Sequence, residues 1–390
     1  MHIIYLADIN NPHTLRWVNY FASLNHHVTV LCDYPADNPP SNITILHPHM
    51  SLLTKIVAFK LFPKPYGNNF FKFLPYRKII QSLKPDIIHG MEALGYGFAT
   101  SLAGNYPKIL TPWGNDIYYD PRHSRIARFL VNYALHHVDA ITTNMPNLSE
   151  YLIREFNVPE QKIKAFSWGV NLTIFNPDKN QQANALRDIL KIPLEAPVII
   201  SHRRCAPYWG MDSIVQAMGK FLREYKDVHF IFLRSDGESD YFNAKSTELQ
   251  NYGISDRFHP ITDYLTPDQM SIHLNASNAF ISFPHTDLLS ISVIEGMACG
   301  AIPIVADLPS YKTRLSVTNA FWAEPHKTDS LLAALQRCFS NKTDWDKIIN
   351  GNWEVIKKEE DWSKQALLMQ NLYESVIKQF HSSHLKDKTD

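Results

Sequence analysis

The stretch from Phe283 to Asp307, FPHTDLLSISVIEGMACGAIPIVAD, sets two carboxylates, Asp287 and Glu295, on either side of seven residues that include Ser290 and Ser292. The apolar run NAFISFP before it reads as a strand, and SVIEGMACG reads as the start of a helix. The amides of Ser290, Ile291 and Ser292 then project from a helix N-terminus, where unpaired donors and the positive dipole end favour an anion such as a diphosphate. Glu295, a turn further in, suits a pair of vicinal hydroxyls, and Asp287, ahead of the helix, suits a second polyol. The same spacing also fits Asp287 as a capping acid and Glu295 as the partner of a buried base, and spacing alone leaves both open.

Cations for such an anion stand at Arg203 and Arg204, just after the apolar run PVIIS. A surface ion pair is the plainer use of the two. In the first half, TPWGNDIYYDP puts Trp113, Asn115 and Asp116 beyond a strand, where a carboxylate can orient or deprotonate a hydroxyl. A helix N-cap is the structural alternative for Asp116. His13 and Arg16 in NNPHTLRW follow the first apolar run, and His89 in IIHG stands at the end of another. With 18 histidines in the chain, each has a structural reading beside the catalytic one.

These residues need elements to position them. Short apolar runs, HIIYLAD, HVTVLCD, DIIHG, KILTPWG and AITTN in the first half and PVIISHR, VHFIFLR, NAFISFP and AIPIVAD in the second, alternate with helix-length amphipathic segments. Continuous apolar strands alternating with helices predict an α/β protein with parallel sheets covered on both faces. Two doubly wound, Rossmann-like domains are expected, residues 1–175 and 190–360, with a linker near 171–190, then a C-terminal crossover helix at 361–380 and a polar tail. Ligands of such sheets bind beyond the carboxyl ends of the strands, so two such domains are expected to face each other across a cleft.

At 390 residues, 45% apolar and 19% charged, the chain has the composition of a globular protein with room for two cores. Lys plus Arg and Asp plus Glu both number 38, which gives no case for nucleic-acid binding. The four cysteines are far apart with no CxxC spacing and read as free thiols of a reducing, cytoplasmic compartment. No signal peptide or spanning segment is expected. Ser51 to Lys84 carries six Lys, one Arg and no acid among several Phe and Leu residues. That composition suits peripheral contact with an anionic membrane at its inner face or a lipid diphosphate, and it equally suits a packed helix with solvated lysines. Asp344-Trp345-Asp346 reads as a helix start, so no metal is expected, and there is no Gly-rich phosphate loop or Gly-x-Ser-x-Gly elbow.

A carboxylate, seven residues, then Glu followed by GMACGAIPIV resembles the donor-site motif of retaining glycosyltransferases of the GT-B fold, family 4, bacterial polysaccharide and glycolipid type. The family usually has Glu at the first position, where this chain has Asp287. MHIIYLADINNPHTLRWVNYFASLNHHVTVLCD, PDIIHG, TPWGNDIYYDP, WGVNLTIFNP and SHRRCAPYWGMDSIVQA extend the resemblance over nearly the whole chain. It implies that Glu295 holds the ribose hydroxyls of a nucleotide sugar, UDP being among the candidate nucleotides and the base left open, and that Asp287 with the Leu288 and Leu289 amides holds the sugar. By the same token Ser290, Ile291 and Ser292 face the diphosphate, Tyr264 lies near the base, and His13, Arg16, His89, Trp113, Asn115 and Asp116 lie on the acceptor side. The catalytic set implied is Asp116, Arg203 and Asp287.

The family places an Arg and, five or six residues later, a Lys on the phosphates. Here those positions are Arg203, with Arg204 beside it, and Trp209. A Gly-Gly pair after the first strand is also replaced, by Asn10, Asn11 and Pro12. The resemblance implies a metal-independent, retaining hexosyltransferase with no cofactor, acting on a carbohydrate or lipid-linked acceptor in polysaccharide, lipopolysaccharide or glycolipid assembly. A nucleotide-sugar 2-epimerase of the same fold, or a weakly catalytic nucleotide-sugar-binding subunit, is the alternative.

Overall fold

The computed structural model describes residues 1–37, 39–49, 73–144, 146–235, 237–287, 290–316 and 318–386. They divide into two compact units, Met1–Ser167 with Ala366–Asp390, and Trp168–Gln365.

The first unit is built on a parallel sheet of β1 (His2–Leu6), β2 (His27–Leu31), β3 (Thr44–Leu46), β4 (Ile87–Met91), β5 (Lys108–Thr111), β6 (Ala140–Thr143) and β7 (Ile163–Ala165). Its order is β3-β2-β1-β4-β5-β6-β7. β4 is buried at every position and β1 at all but His2, as strands covered by helices on both faces must be. The strand order reverses between β1 and β4. After β1 the chain turns into helix Pro12–Ser23, whose N-cap Asn11 accepts from the His13 amide at 2.9 Å with Pro12 at the first helical position. Asn11 thus starts the helix by side-chain capping, while the Asn10 side chain donates to the Pro35 carbonyl at 2.9 Å.

The second unit holds a parallel sheet of β8 (Val198–Ser201), β9 (His229–Leu233), β10 (Phe258–Ile261), β11 (Ala279–Ser282), β12 (Ile302–Ala306) and β13 (Phe321–Ala323), ordered β10-β9-β8-β11-β12-β13. Here the reversal falls between β8 and β11. Both sheets are the doubly wound α/β type expected from the alternating runs. Asp344 precedes helix Trp345–Glu359, as its helix-start reading required. All four cysteines are buried and free.

Helix Trp362–Lys386 begins in the second unit, and from Ala366 onward it is part of the first, as a returning C-terminal helix should be. Its Tyr373 stacks on Phe21 at 4.7 Å and is fully buried. The Tyr373 hydroxyl shares hydrogen bonds with Tyr5 Oη at 2.8 Å and with His89 Nδ1. His89 Nε2 is 2.6 Å from Thr111 Oγ1, which in turn meets Thr142 Oγ1. His89, expected on the acceptor side, is therefore corrected to a core residue. It lies inside β4 with no exposed surface, and hydroxyls occupy both ring nitrogens.

Of the basic, aromatic stretch, residues 51–72 lie outside the described residues. The described helix Phe73–Leu83 buries Tyr76 and Ile80 and leaves Leu74, Arg77 and Lys78 exposed. Among the described residues no helix is long and apolar enough to cross a membrane.

Tyr373→Phe removes one hydroxyl and leaves Tyr5 and His89 short of a buried partner. It is expected to destabilise the protein by about 2 kcal/mol in urea unfolding followed by circular dichroism. An unchanged midpoint would mean that the hydroxyl chain contributes nothing to docking this helix.

Candidate functional site

In the second unit the loops after β8 and β11 leave the sheet at its reversal, where a doubly wound sheet opens a crevice. Arg203 follows β8 and Asp287 follows β11. Arg203 is only 6% exposed, and its Nη1 lies 3.0 Å from Asp287 Oδ2 and donates to Ser292 Oγ at 2.9 Å. The guanidinium carbon sits 3.9 Å from the centroid of the Trp209 ring, a cation–π stack. Asp287 has a second support, since the buried Tyr311 hydroxyl donates to Oδ2 at 2.8 Å and is itself 3.0 Å from Ser282 Oγ. Burial and the Asp287 charge together raise the Tyr311 pKa well above its ordinary value, so this hydroxyl stays a donor.

Ser292 belongs to helix Ile291–Ala298. Its N-cap is Ser290, whose Oγ accepts from the Ser292 amide at 3.3 Å and meets Ser292 Oγ at 2.7 Å. Ser290, Ile291 and Ser292 thus form the helix start read from sequence. Asp287 does not cap it; its oxygen faces Arg203 and Tyr311. Glu295 is half-buried three residues beyond Ser292 and so shares its face of the helix. His202, unremarked in the sequence, donates from Nε2 to the Ser292 carbonyl at 2.8 Å and ties β8 to the same turn. Burial lowers its pKa to about 4 despite that hydrogen bond.

Other residues expected on the donor side are less gathered. Arg204 is exposed, whereas Arg203 is buried. Tyr264 is 69% exposed on the loop after β10, the edge strand of the sheet. Leu288 and Leu289 lie outside the described residues. A cavity of about 400 Å³ in this unit, lined by Trp353, Lys357 and Lys364 among others, shares no residue with the Arg203 cluster.

In the first unit, Asp116 is 4% exposed, and backbone amides hold its carboxylate. Ala93 donates to Oδ2 at 2.6 Å, Gly114 to Oδ1 at 2.7 Å, and Trp113 to Oδ1 at 3.0 Å. Burial nonetheless raises its pKa, opposed by those hydrogen bonds. This is the geometry of a residue that shapes the loops after β4 and β5, which differs from both a poised base and an N-cap. Among the described residues Trp113 Nε1 has no hydrogen-bond partner. Asn115 opens the short helix Asn115–Tyr118. His13 and Arg16 lie three apart on helix Pro12–Ser23, and burial first, then the Arg16 charge, lowers the His13 pKa to about 4.

The family model described as glycosyl transferase 4-like matches residues 2–145, and the model described as glycosyl transferases group 1 matches residues 182–368. The two glycosyltransferase matches together span most of the chain, which belongs to the glycosyltransferases. Its fold is GT-B. It is similar to sucrose-phosphate synthase from Thermosynechococcus elongatus at 16% identity and a TM-score of 0.78, over 96% of this chain and 99% of that one. It is also similar to Anabaena HepE, solved with UDP and glucose, at 13% identity and a TM-score of 0.76, over 96% and 99% of the two chains. A curated relative, a D-inositol 3-phosphate glycosyltransferase of Corynebacterium kroppenstedtii, is 22% identical over 173 residues. That alignment spans 43% of this chain and 38% of the relative, well under half of either.

Within this glycosyltransferase, sequence reasoning missed Tyr311, His202 and Glu92. Glu92, with φ +86° after β4, accepts from the amides of Leu94 at 2.6 Å, Gly95 at 2.9 Å and Tyr96 at 3.1 Å. An acid directly before a small-residue helix start was the available signal for it. Nothing local marks Tyr311 or His202, whose partners are distant in the chain.

Gly210 ends the turn that carries Trp209, with φ +71°, and a Cβ there would lie 2.0 Å from the Phe283 carbonyl oxygen. Gly210→Ala is expected to cost about 2–3 kcal/mol, read as a fall in melting temperature, because neither backbone can yield cheaply.

Burial also sets an acid limit. His89 is held near pH 3 and His202 near 4, against an ordinary 6.5, so both are neutral in the folded protein. Their contribution to stability is complete above pH 6.5. It is lost as pH falls from 6.5 toward 4 for His202 and toward 3 for His89, where the unfolded chain binds protons that the folded one refuses. Melting temperature is expected to decline through that window, and His89→Gln should flatten the decline; an equally steep decline in the variant would remove His89 from the cause.

Proposed function

We propose that this chain transfers a sugar from a nucleoside diphosphate donor to an acceptor hydroxyl with retention of anomeric configuration and without a metal ion. The observation that carries the reading is the buried Arg203 guanidinium beside the first turn of helix Ile291–Ala298, with Asp287 and Glu295 on either side of that turn. A fixed cation and the positive end of the helix gain strength as the departing diphosphate accumulates charge, which lowers the barrier. Glu295 binds the ribose hydroxyls, Asp287 with the Leu288 and Leu289 amides binds the transferred sugar, and Tyr264 lies near the base. UDP is the favoured nucleotide, by analogy with the HepE relative solved with UDP and glucose.

In the reaction the bond from the anomeric carbon to the diphosphate oxygen breaks and the diphosphate keeps the electron pair. The acceptor oxygen bonds to the same face of the anomeric carbon, and its proton passes to the leaving diphosphate. No enzyme carboxylate has to attack. The first unit supplies the acceptor contacts, with Asp116 setting the loop that carries Trp113, and His13 and Arg16 on the helix after β1. The acceptor is a carbohydrate or lipid-linked hydroxyl in polysaccharide, lipopolysaccharide or glycolipid assembly. The exposed Arg77 and Lys78 support peripheral contact with an anionic membrane.

The test is a thermal-shift screen against UDP, GDP, ADP and their common sugars, with and without EDTA. One base is expected to raise the melting temperature regardless of EDTA. Glu295→Ala is expected to weaken that nucleotide by about 10- to 100-fold, the worth of hydrogen bonds to a charged group. No shift with any nucleotide at millimolar concentration would overturn the reading.

A further inference from the structure

We propose that Trp209 is a positioning residue for the donor diphosphate, acting by fixing the plane of the Arg203 guanidinium. The inference rests on the donor reading above and goes beyond it, because the family pattern makes this position a second cation and Trp209 carries no charge.

Three sets of contacts lead there. The indole ring lies 3.9 Å from the guanidinium carbon, so it covers one face of the cation. Nη1 is engaged by Asp287 and Ser292, whereas among the described residues no protein acceptor hydrogen-bonds to Nε or Nη2. One edge of the fork is anchored, one face is covered, and the remaining donors keep their capacity for an anion. The indole is itself held. The Trp209 amide donates to the Ala206 carbonyl at 3.0 Å, and the Tyr208 ring packs edge-on against the indole at 4.9 Å. The His285 amide donates to the Tyr208 carbonyl at 3.3 Å, and Gly210 lies against Phe283, so the turn is fastened to the loop that leads to Asp287.

The physical exchange is one of charge for orientation. A lysine here adds a second, mobile point charge. A tryptophan leaves a single cation whose planar fork cannot swing when Nη1 trades Asp287 for a phosphate oxygen. Arg203 bound by Asp287 alone would be free to follow that carboxylate; stacked on the indole, it stays where the diphosphate arrives.

The experiment is a calorimetric titration of the wild type, Trp209→Leu, Trp209→Phe, Arg203→Gln and the Trp209→Leu/Arg203→Gln double variant with UDP, GDP and ADP, and with the parent nucleosides. Melting temperatures are recorded for each variant to verify folding. For the nucleotide that the wild type binds, Trp209→Leu is expected to weaken the diphosphate about tenfold and Trp209→Phe by less than about threefold. In the Arg203→Gln background Trp209→Leu should make no further difference, because it acts through the missing cation. Nucleoside affinity should not respond to Trp209→Leu, and this comparison decides if Arg203→Gln binds too weakly to titrate. Wild-type affinity in Trp209→Leu, an equal loss in both backgrounds, or an equal loss for the nucleoside each overturns the positioning role while the donor reading stands. A wild type that binds none of the three diphosphates overturns both.

Discussion

A guanidinium that is 6% exposed must have partners for its charge, and in the second unit the placement of the site follows from that constraint. Desolvating Arg203 is tolerable only because Asp287 and Ser292 meet one of its nitrogens and Trp209 covers its face. Each partner in turn needs an element to hold it. Asp287 rests on Tyr311, Ser292 on a helix start capped by Ser290, and Trp209 on a turn that only glycine can close at residue 210. The sheet reversal between β8 and β11 brings the loops together so that this chain of supports can form. A carboxylate neutralises the cation, so the loops after β8 and β11 meet at a buried ion pair.

The first unit depends on a different kind of polar contact. Its hydroxyl and imidazole chain, from Tyr5 through Tyr373 and His89 to Thr111 and Thr142, carries no net charge. Buried neutral networks of this sort specify geometry when every member is satisfied. The result is a histidine held neutral and a C-terminal helix docked at a defined angle and depth. Asp116 and Glu92 apply the same logic to loops, each using a carboxylate to collect backbone amides that would otherwise lack partners.

Much of this was legible in the sequence for identifiable reasons. Parallel strands buried on both faces appear as unbroken apolar runs such as HIIYL and AFIS, and the helix start at Ser290 to Ser292 follows from a serine ahead of apolar periodicity. What was not legible depends on pairings across the sheet. Tyr311 reaches Asp287 from 24 positions away, and no local pattern announces it. His89 was read as standing at the end of an apolar run, yet the strand runs on to Met91 and hydroxyls meet both ring nitrogens. Asp116 satisfies backbone amides, which leave no trace in residue types. Trp209 read as the loss of a cation, because sequence shows which charge is missing and not which plane is stacked.

Tyr5 and Tyr373 are 368 positions apart, and everything from Trp168 to Gln365 packs into the other unit. Synthesis from the N-terminus therefore delivers the whole second unit before the residue that completes the first one's core. Until Tyr373 emerges, Phe21, Tyr5 and His89 belong to a half-built interior that water can enter, while the second unit already has every strand of its sheet. The residues made first are thus the last to be sealed. Long-range closure of this kind is slow to form and exposes apolar surface in the meantime. The nascent chain spends its most vulnerable interval with a finished second unit and an open first one.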